Sequence, residues 1–337
     1  MSIYFRPIVQ SGPAKPETAK TLAGGWTWFN TLEILERDRP VQIVPITEAP
    51  AEAVVRLTTP RADIAGLSFS KPRVMGILNV TPDSFSDGGK HNSVTAAVSA
   101  AQTMHGADIL DIGGESTRPG AKFVPVLEEI ERTAPVIGAL RAQGISTPVS
   151  IDTRKAKVAD AALTSGANLV NDVSGFTFDE DLAPLCAQKH VPVCVMHAQG
   201  DPASMQDQPH YDDVVLDVYD FLESRIAALK ALGVSAEQII VDPGIGFGKT
   251  LEHNLALLGR LSLFHSLGVP VLLGASRKRF IGTLGGESKA DARMPGSVAV
   301  ALAALKHGTQ IVRVHDVPET VQAIALWQAV VAGQADG

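Results

Sequence analysis

Val74-Met-Gly-Ile-Leu78 runs straight into Asn79-Val-Thr-Pro-Asp83-Ser-Phe85-Ser-Asp87-Gly-Gly89, an aliphatic stretch of strand length followed by a polar, glycine-rich loop. The pattern repeats down the chain. Further β-branched or aliphatic runs lie at Asp108–Ile112, Val149–Ile151, Asn168–Val170, Pro192–Met196, Ile239–Val241, Val271–Leu273 and Ile311–Val314. Between them come alanine-rich stretches with helical spacing: Thr95–Met104, Val126–Leu140, Ala156–Thr164, Val214–Leu232, Leu251–Leu261 and Ser297–Lys306, with Pro318–Val331 after the last run. Strand, loop and helix in rotation imply parallel strands with helices between them. About eight such units in roughly 260 residues is the size of a TIM barrel. A doubly wound open sheet is the rival, but it usually shows fewer strands or opens on Gly-x-Gly-x-x-Gly, which does not follow the first run. The expected fold is α/β: a (β/α)8 TIM barrel over residues 73–337, preceded by an N-terminal extension over residues 1–72.

Ser11-Gly12-Pro13 and Glu48-Ala49-Pro50 punctuate that extension. Val41–Pro45 and Val54–Thr58 read as short strands and Thr31–Glu36 as a helix, with Trp26, Trp28 and Phe29 nearby. The aromatic cluster implies packing against the segment itself, the barrel or a second subunit. Ala65–Phe69 is placed to pair with residue 73 onward as a hairpin closing the barrel bottom. The extension carries no recognisable chemistry.

The chain has 337 residues, 45% hydrophobic, 19% charged and 5% aromatic, with mean hydropathy +0.13. That composition suffices for a large core and suits aliphatic strands covered by helices. A formal net charge of −7 excludes the broad cationic field that nucleic acid or anionic lipid requires. An anionic substrate must instead meet a local cluster of Lys, Arg, His and backbone N–H groups. Cys186 and Cys194 lack Cys-x-x-Cys spacing and read as buried, reduced thiols. The opening Met-Ser-Ile-Tyr-Phe-Arg-Pro has no signal-peptide pattern, and no apolar stretch approaches the ~20 residues of a membrane span. The expectation is a soluble, cytoplasmic protein with neither a nucleic-acid nor a membrane partner.

In a barrel, reactive groups gather at the C-terminal ends of the strands, and nearly every run here ends in one. Asn79 follows Leu78. Asp111 leads into Gly113-Gly-Glu115-Ser-Thr117-Arg118-Pro119-Gly-Ala121, and Asp152 follows Ile151. Asn171-Asp172 follows Val170 and Asp242 follows Val241. Ser276-Arg277-Lys278 follows Leu273, while Arg313-Val-His315-Asp316 closes the series. A single strand-end Asp is often a helix cap. Asp152, Asn171, Asp242, Lys278 and Arg313 on separate strands would all point into one mouth, where their charges need partners or a ligand. Carboxylates and an amide suit a flat heterocycle with adjacent N–H groups, such as a pterin or guanine edge. Lys278 can donate to a ring carbonyl or nitrogen, and a guanidinium can stack on a ring face. Arg313, His315 and the glycine-rich loops supply donors for a phosphate-like group. Mg²⁺ often rides on substrate phosphates with few protein ligands, and Asn79 could be its one ligand here.

Two near-misses are set aside. Asp242-Pro-Gly-Ile-Gly-Phe-Gly-Lys249-Thr250 ends like a Walker A loop, but its required first glycine would be position 243, which is Pro. The fixed φ and missing N–H spoil a phosphate cradle. The histidines, His190 and His197 among them, lack zinc-site spacing. For His197 a packed, hydrogen-bonded role stands beside a catalytic one.

The two long loops, Met75–Gly89 and Gly113–Ala121, resemble the signature loops of the dihydropteroate synthase family. The likeness continues through Ile151-Asp-Thr, Asn171-Asp, Met196-His197, Asp242-Pro-Gly-Ile-Gly-Phe-Gly-Lys, Ser276-Arg-Lys and Arg313-Val-His-Asp, in order over residues 73–332. That family is a TIM barrel, usually homodimeric. It condenses (7,8-dihydropterin-6-yl)methyl diphosphate with 4-aminobenzoate, releasing pyrophosphate. The resemblance implies that Asp152, Asn171, Asp242 and Lys278 surround the pterin with Arg313 stacked on it. It implies that Thr117, Asn79, Arg313 and His315 hold the diphosphate, with Mg²⁺ on Asn79. Phe85, Arg118, Pro119, Phe247 and Lys278 would frame the aminobenzoate, and Asp87 would face the reacting carbon. Lys278, Asp87 and Arg118 are the expected catalytic residues, and sulfonamides the expected inhibitors. Two other readings remain: a pterin-binding methyltransferase, disfavoured by the Thr117-Arg118-Pro119 and Ser276-Arg-Lys motifs, and a non-catalytic pterin-binding homologue.

Overall fold

The computed structural model describes residues 2–81, 90–117, 120–200, 205 and 208–334, with the backbone alone for 90–93. In the extension, β1 (Tyr4–Pro7), β4 (Thr31–Leu35) and β5 (Gln42–Pro45) form an antiparallel sheet in the order β1-β4-β5, while β2 (Lys20–Thr21) pairs with β3 (Trp28–Phe29). Helix α1 (Ala51–Thr58) follows Pro50. Leu22, Phe29, Leu32, Ile46 and Leu57 make a small core of its own.

Two expectations are reversed in this segment. Thr31–Glu36 is not a helix; it is strand β4, whose Glu33 is buried beside Arg6 and Arg260 instead of facing water. Val54–Thr58 is not a strand; it is the end of α1, which buries Ala53 and Leu57, four residues apart on one face. Its Glu52 stands in the first turn and Arg56 in the last, as the helix dipole favours. The β-branched Val54 and Val55 disguised it. The aromatic cluster packs in both directions: Phe29 lies in the small core, and Trp26 Nε1 donates to the Leu305 carbonyl on the barrel at 2.9 Å.

The barrel strands are β6 (Arg73–Asn79), β7 (Ile109–Gly113), β8 (Val149–Asp152), β9 (Leu169–Asp172), β10 (Val193–Met196), β11 (Ile239–Asp242), β12 (Leu272–Leu273) and β13 (Ile311–Val314). They run parallel in the order β11-β10-β9-β8-β7-β6-β13-β12. A parallel bridge between Val241 and Val271 joins the two ends, so the sheet closes into a barrel. Around it lie α2 (Lys90–Thr103), α3 (Val126–Ala142), α4 (Ala156–Thr164), α5 (Leu182–Lys189), α6 (Val214–Ala231), α7 (Leu251–Gly259), α8 (Arg279–Gly285), α9 (Met294–Lys306) and α10 (Val317–Ala332). All eight runs read from the sequence are strands. The short helices α5 and α8 were not read, because Pro184 interrupts the first and Gly282 and Gly285 dilute the second.

Alternation along each strand divides the core. Val74, Leu110, Val149, Val170, Val193, Ile239, Leu273 and Val312 face the helices. Met75, Ile109, Leu169, Cys194, Ile240, Leu272 and Ile311 face the lumen at its lower end, each burial contributing roughly 1.5–3 kcal/mol for the large aliphatic side chains. Ile64 and Phe69 plug that end from below. This segment does not pair with residue 73 onward as expected: its bridge joins Ile64 to Leu67. The extension is riveted to α6 by the Tyr4 hydroxyl, which donates to Asp220 at 2.8 Å, and by Arg37, 2.7 Å from both Asp217 and Asp220. Cys186 and Cys194 are buried and unpaired. Among the described residues no helix is long and apolar enough to cross a membrane.

Candidate active site

The lumen-facing alternation that makes the lower layer apolar puts polar side chains at the upper end. One step of two residues beyond Ile109, Leu169, Ile240 and Ile311 come Asp111, Asn171, Asp242 and Arg313. Register aligns Asn79 with Gly113, Gly113 with Asp152, and Asp152 with Asn171. Arg313 Nε lies 2.6 Å from Asp111 Oδ2, and its Nη2 lies 2.7 Å from Asp152 Oδ2. Asn171 Nδ2 donates to the same Asp111 oxygen at 3.3 Å. Four of the barrel strands thus meet through side chains at one level of the lumen.

The electrostatics follow from burial. Removal from water raises the Asp152 carboxyl to about 7, against the pull of Arg313 and with the push of Asp111. Asp242 is also raised by burial, while Lys278 works the other way. Burial lowers the Lys278 amine to about 8, opposed by the Asp242 carboxylate. Arg313 moves upward: burial disfavours its charge, but Asp111 and Asp152 outweigh that. Asp172, by contrast, faces away from the lumen and caps a turn, accepting from Ser174 N at 2.7 Å and Phe176 N at 2.6 Å. It does not cap the next helix, whose N-cap is Asp181; it holds the turn that leads away from the strand.

The loops after β11 and β12 complete the mouth. Lys278 donates to the Ile245 carbonyl, and its Nζ stands 4.6 Å from the centre of the half-buried Phe247 ring. His315 Nδ1 lies 3.0 Å from Ser276 Oγ. Arg277, between Ser276 and Lys278 in sequence, is turned aside to pair with Asp316. Asn79 and Thr117 are half-buried, at the end of β6 and in the loop after β7. A Cβ on Gly113 would stand 3.7 Å from both Asn79 Oδ1 and Asp152 Oδ2, so these two oxygens border the same space. Phe85, Asp87, Arg118 and Pro119 lie outside the described residues.

Three groups escaped the sequence reading. Asp111 was visible as a charge inside an aliphatic run, at the same period as Ile109, but was given no role. Lys249, set aside with the Walker-like loop, is buried with its Nζ 2.9 Å from His197 Nδ1. His197 is packed and hydrogen-bonded, edge-on to Phe221 at 4.8 Å. Glu115 accepts from Val124 N at 2.9 Å and pairs with Arg154 and Lys155 at 3.1 and 3.2 Å, tying the base of the second loop to the end of β8. Among the described residues no group of three or more His, Cys, Asp or Glu could hold a metal ion. Asn79 Oδ1 is a neutral amide oxygen at the edge of the same space as Asp152 Oδ2, a donor type that suits an oxygen-seeking dication.

A profile of the family described as pterin binding enzyme matches residues 75–315. Dihydropteroate synthase from Synechocystis sp. is 48% identical over 261 residues, covering 76% of this chain and 90% of the relative. A structure of Xanthomonas albilineans dihydropteroate synthase with 4-aminobenzoic acid superposes with TM-score 0.75 at 49% identity, covering 80% of this chain and 98% of that one. The enzyme from the same organism in complex with 7,8-dihydropteroate gives TM-score 0.72 at 46% identity over the same shares.

Proposed function

The chain belongs to the pterin-binding enzymes, and within them to the dihydropteroate synthases, and we infer that its mouth joins (7,8-dihydropterin-6-yl)methyl diphosphate to 4-aminobenzoate, forming 7,8-dihydropteroate and pyrophosphate. The observation that carries this reading is the convergence of Asp152, Asn171, Asp242, Lys278 and Arg313 from five strand ends onto one site.

In this reading Asp152, Asn171 and Asp242 accept from and donate to the pterin edge, and Lys278 donates to a ring oxygen or nitrogen. Arg313 keeps its guanidinium plane fixed by two carboxylates, leaving a face for the ring to stack on. Thr117, Arg313 and His315 hold the diphosphate. The C–O bond to the diphosphate breaks with its electron pair going to oxygen, and the electron-rich dihydropterin stabilises the methylene left behind. The arylamine nitrogen, neutral at pH 7, forms the new C–N bond and then sheds a proton. No protein nucleophile is required; positioning and electrostatic stabilisation carry the chemistry. Asn79 offers the amide oxygen for Mg²⁺, which when bound neutralises the departing diphosphate. Phe247 and Lys278 border the aminobenzoate; Phe85, Arg118 and Pro119 would do the same and Asp87 would serve the reacting carbon by the family motif, all four lying outside the described residues. The enzyme is cytoplasmic and homodimeric in this reading. Unpaired buried thiols support the first statement, and the exposed apolar pair Leu326 and Val330, one turn apart on α10, supports the second.

The test is a pyrophosphate-release assay with Mg²⁺ and both substrates. Release should require both, and dihydropteroate should appear in equal amount. Pterin binding without release would instead favour a non-catalytic homologue.

A further inference from the structure

The loop from Asp242 to Thr250 is pinned at most of its polar backbone atoms. Gly244 N donates to Asp242 Oδ1 at 2.8 Å and Gly246 N to Asn254 Oδ1 at 2.7 Å. The carbonyls of Ile245, Phe247 and Gly248 accept from Lys278, from Lys249 at 3.0 Å and from the Tyr211 hydroxyl at 2.7 Å. Gly244 and Gly248 both have positive φ and press on the segment after β10. A Cβ on Gly244 would stand 1.8 Å from the His197 carbonyl oxygen, and one on Gly248 would stand 2.4 Å from that of Gln199. Only glycine fits either place. The two loops make one wall of the mouth.

Lys249 ties that wall together from inside. The residue is 3% exposed, and among the described residues no carboxylate lies within ion-pair distance of it. Nζ meets two acceptors, His197 Nδ1 at 2.9 Å and the Phe247 carbonyl at 3.0 Å. Burial pushes the amine well below the ordinary lysine range, the Lys278 charge adding to it and the Asp242 carboxylate opposing it. Burial lowers His197 to about 2, so the imidazole is neutral; with Lys249 as the donor, Nδ1 carries the lone pair and Nε2 the ring proton.

We propose that Lys249 is a positioning residue for the arylamine substrate: bonded at once to His197 Nδ1 and the Phe247 carbonyl, it fixes where the Phe247 ring stands against Lys278 and so sets the slot for the aminobenzoate ring. This rests on the placement of 4-aminobenzoate beside Phe247 and Lys278 under the proposed function. A lysine that served stability alone would, when lost, weaken the use of both substrates alike.

Lys249→Met keeps the apolar stem and removes both N–H bonds. In steady-state kinetics of the full chain, its KM for 4-aminobenzoate should rise about tenfold while that for the pterin diphosphate stays within twofold. Both KM values within twofold, or both rising together, overturn the proposal. Should Lys249→Met fail to fold, Tyr211→Phe removes the bond to the Gly248 carbonyl from the same loop. It should raise the aminobenzoate KM about threefold with the pterin KM unmoved; no change in either is a refutation. Independently of turnover, ¹⁵N shifts of His197 at pH 7 should report an unprotonated Nδ1, and an Nδ1–H tautomer sinks the proposal. If wild-type protein released no pyrophosphate, the proposed reaction would fail, while the tautomer would still decide the Lys249 bond.

Discussion

Arg313 and Asp111 form a buried ion pair, Nε to Oδ2 2.6 Å, that reaches from β13 to β7 across the intervening β6. The same guanidinium holds Asp152 at 2.7 Å, so Asp111 is what fixes the rotation of Arg313 about its bond to the pterin-facing acid. Asp111→Asn preserves shape and removes the charge. Arg313 keeps one carboxylate, so the full ~3–5 kcal/mol of a broken buried pair is not expected. We predict a fall in kcat/KM for the pterin substrate of at least about tenfold, or ~1.4 kcal/mol. Values within twofold of wild type would show that Asp152 alone orients the guanidinium.

Two site groups titrate near neutrality, and their directions set a pH profile. Asp152, raised to about 7, loses its negative charge as pH falls; Lys278, lowered to about 8, loses its positive charge as pH rises. We predict a bell-shaped kcat/KM for the pterin diphosphate with limbs near those values, and Lys278→Arg should remove the alkaline limb. The stability signs also follow. The folded Asp152 binds its proton more tightly than the unfolded chain, so its contribution is full below pH 4 and is lost as pH rises through about 7. The folded Lys278 binds its proton less tightly, so its contribution grows as pH rises from about 8 towards the ordinary lysine range. A pH-independent kcat/KM between pH 6 and 9 would remove both groups from the rate-determining chemistry.

The barrel was legible because both faces of its strands are covered, which turns each strand into an aliphatic run ending in a polar residue. The extension was not. Its elements are short, its core is small, and Glu33 is buried by ion pairing with Arg6 and Arg260 from distant parts of the chain. Asp152, Asn171, Asp242 and Arg313 announced themselves by position at strand ends. Asp111 was equally visible by its period with Ile109, but its meaning depends on Arg313, 202 residues away. Lys249 could not be read from its loop, because its partner His197 sits 52 residues earlier.

Ile64 and Phe69 of the extension enter the lumen beside the first residues of the strands, at the end opposite the mouth. Conservation of function should therefore be separable from stability. Leu57 is fully buried in the extension's own core with Phe29 and Leu32. We predict that Leu57→Ala costs about 2–5 kcal/mol, seen as a lower Tm in calorimetry, while kcat/KM for both substrates stays within twofold at 25 °C. A large kinetic defect in a folded Leu57→Ala protein would mean that the extension reaches the mouth after all.

Lys278 is the group on which the two substrates converge. Its amine is bonded to the Ile245 carbonyl, interacts with Asp242 on the pterin side and lies 4.6 Å from the Phe247 ring on the other. Lys278→Ala removes a donor from both substrates and leaves the Asp242 carboxylate uncompensated, so turnover should fall by at least about a hundredfold, ~2.7 kcal/mol of barrier. A rate within threefold of wild type would defeat the shared role. The same convergence predicts how sulfonamides act. A sulfonamide carries an arylamine and a compact anionic or polar group at aminobenzoate spacing, so it should occupy the Phe247–Lys278 slot and compete with 4-aminobenzoate. Inhibition that 4-aminobenzoate cannot relieve at any concentration would place the drug, or the substrate, somewhere other than this slot.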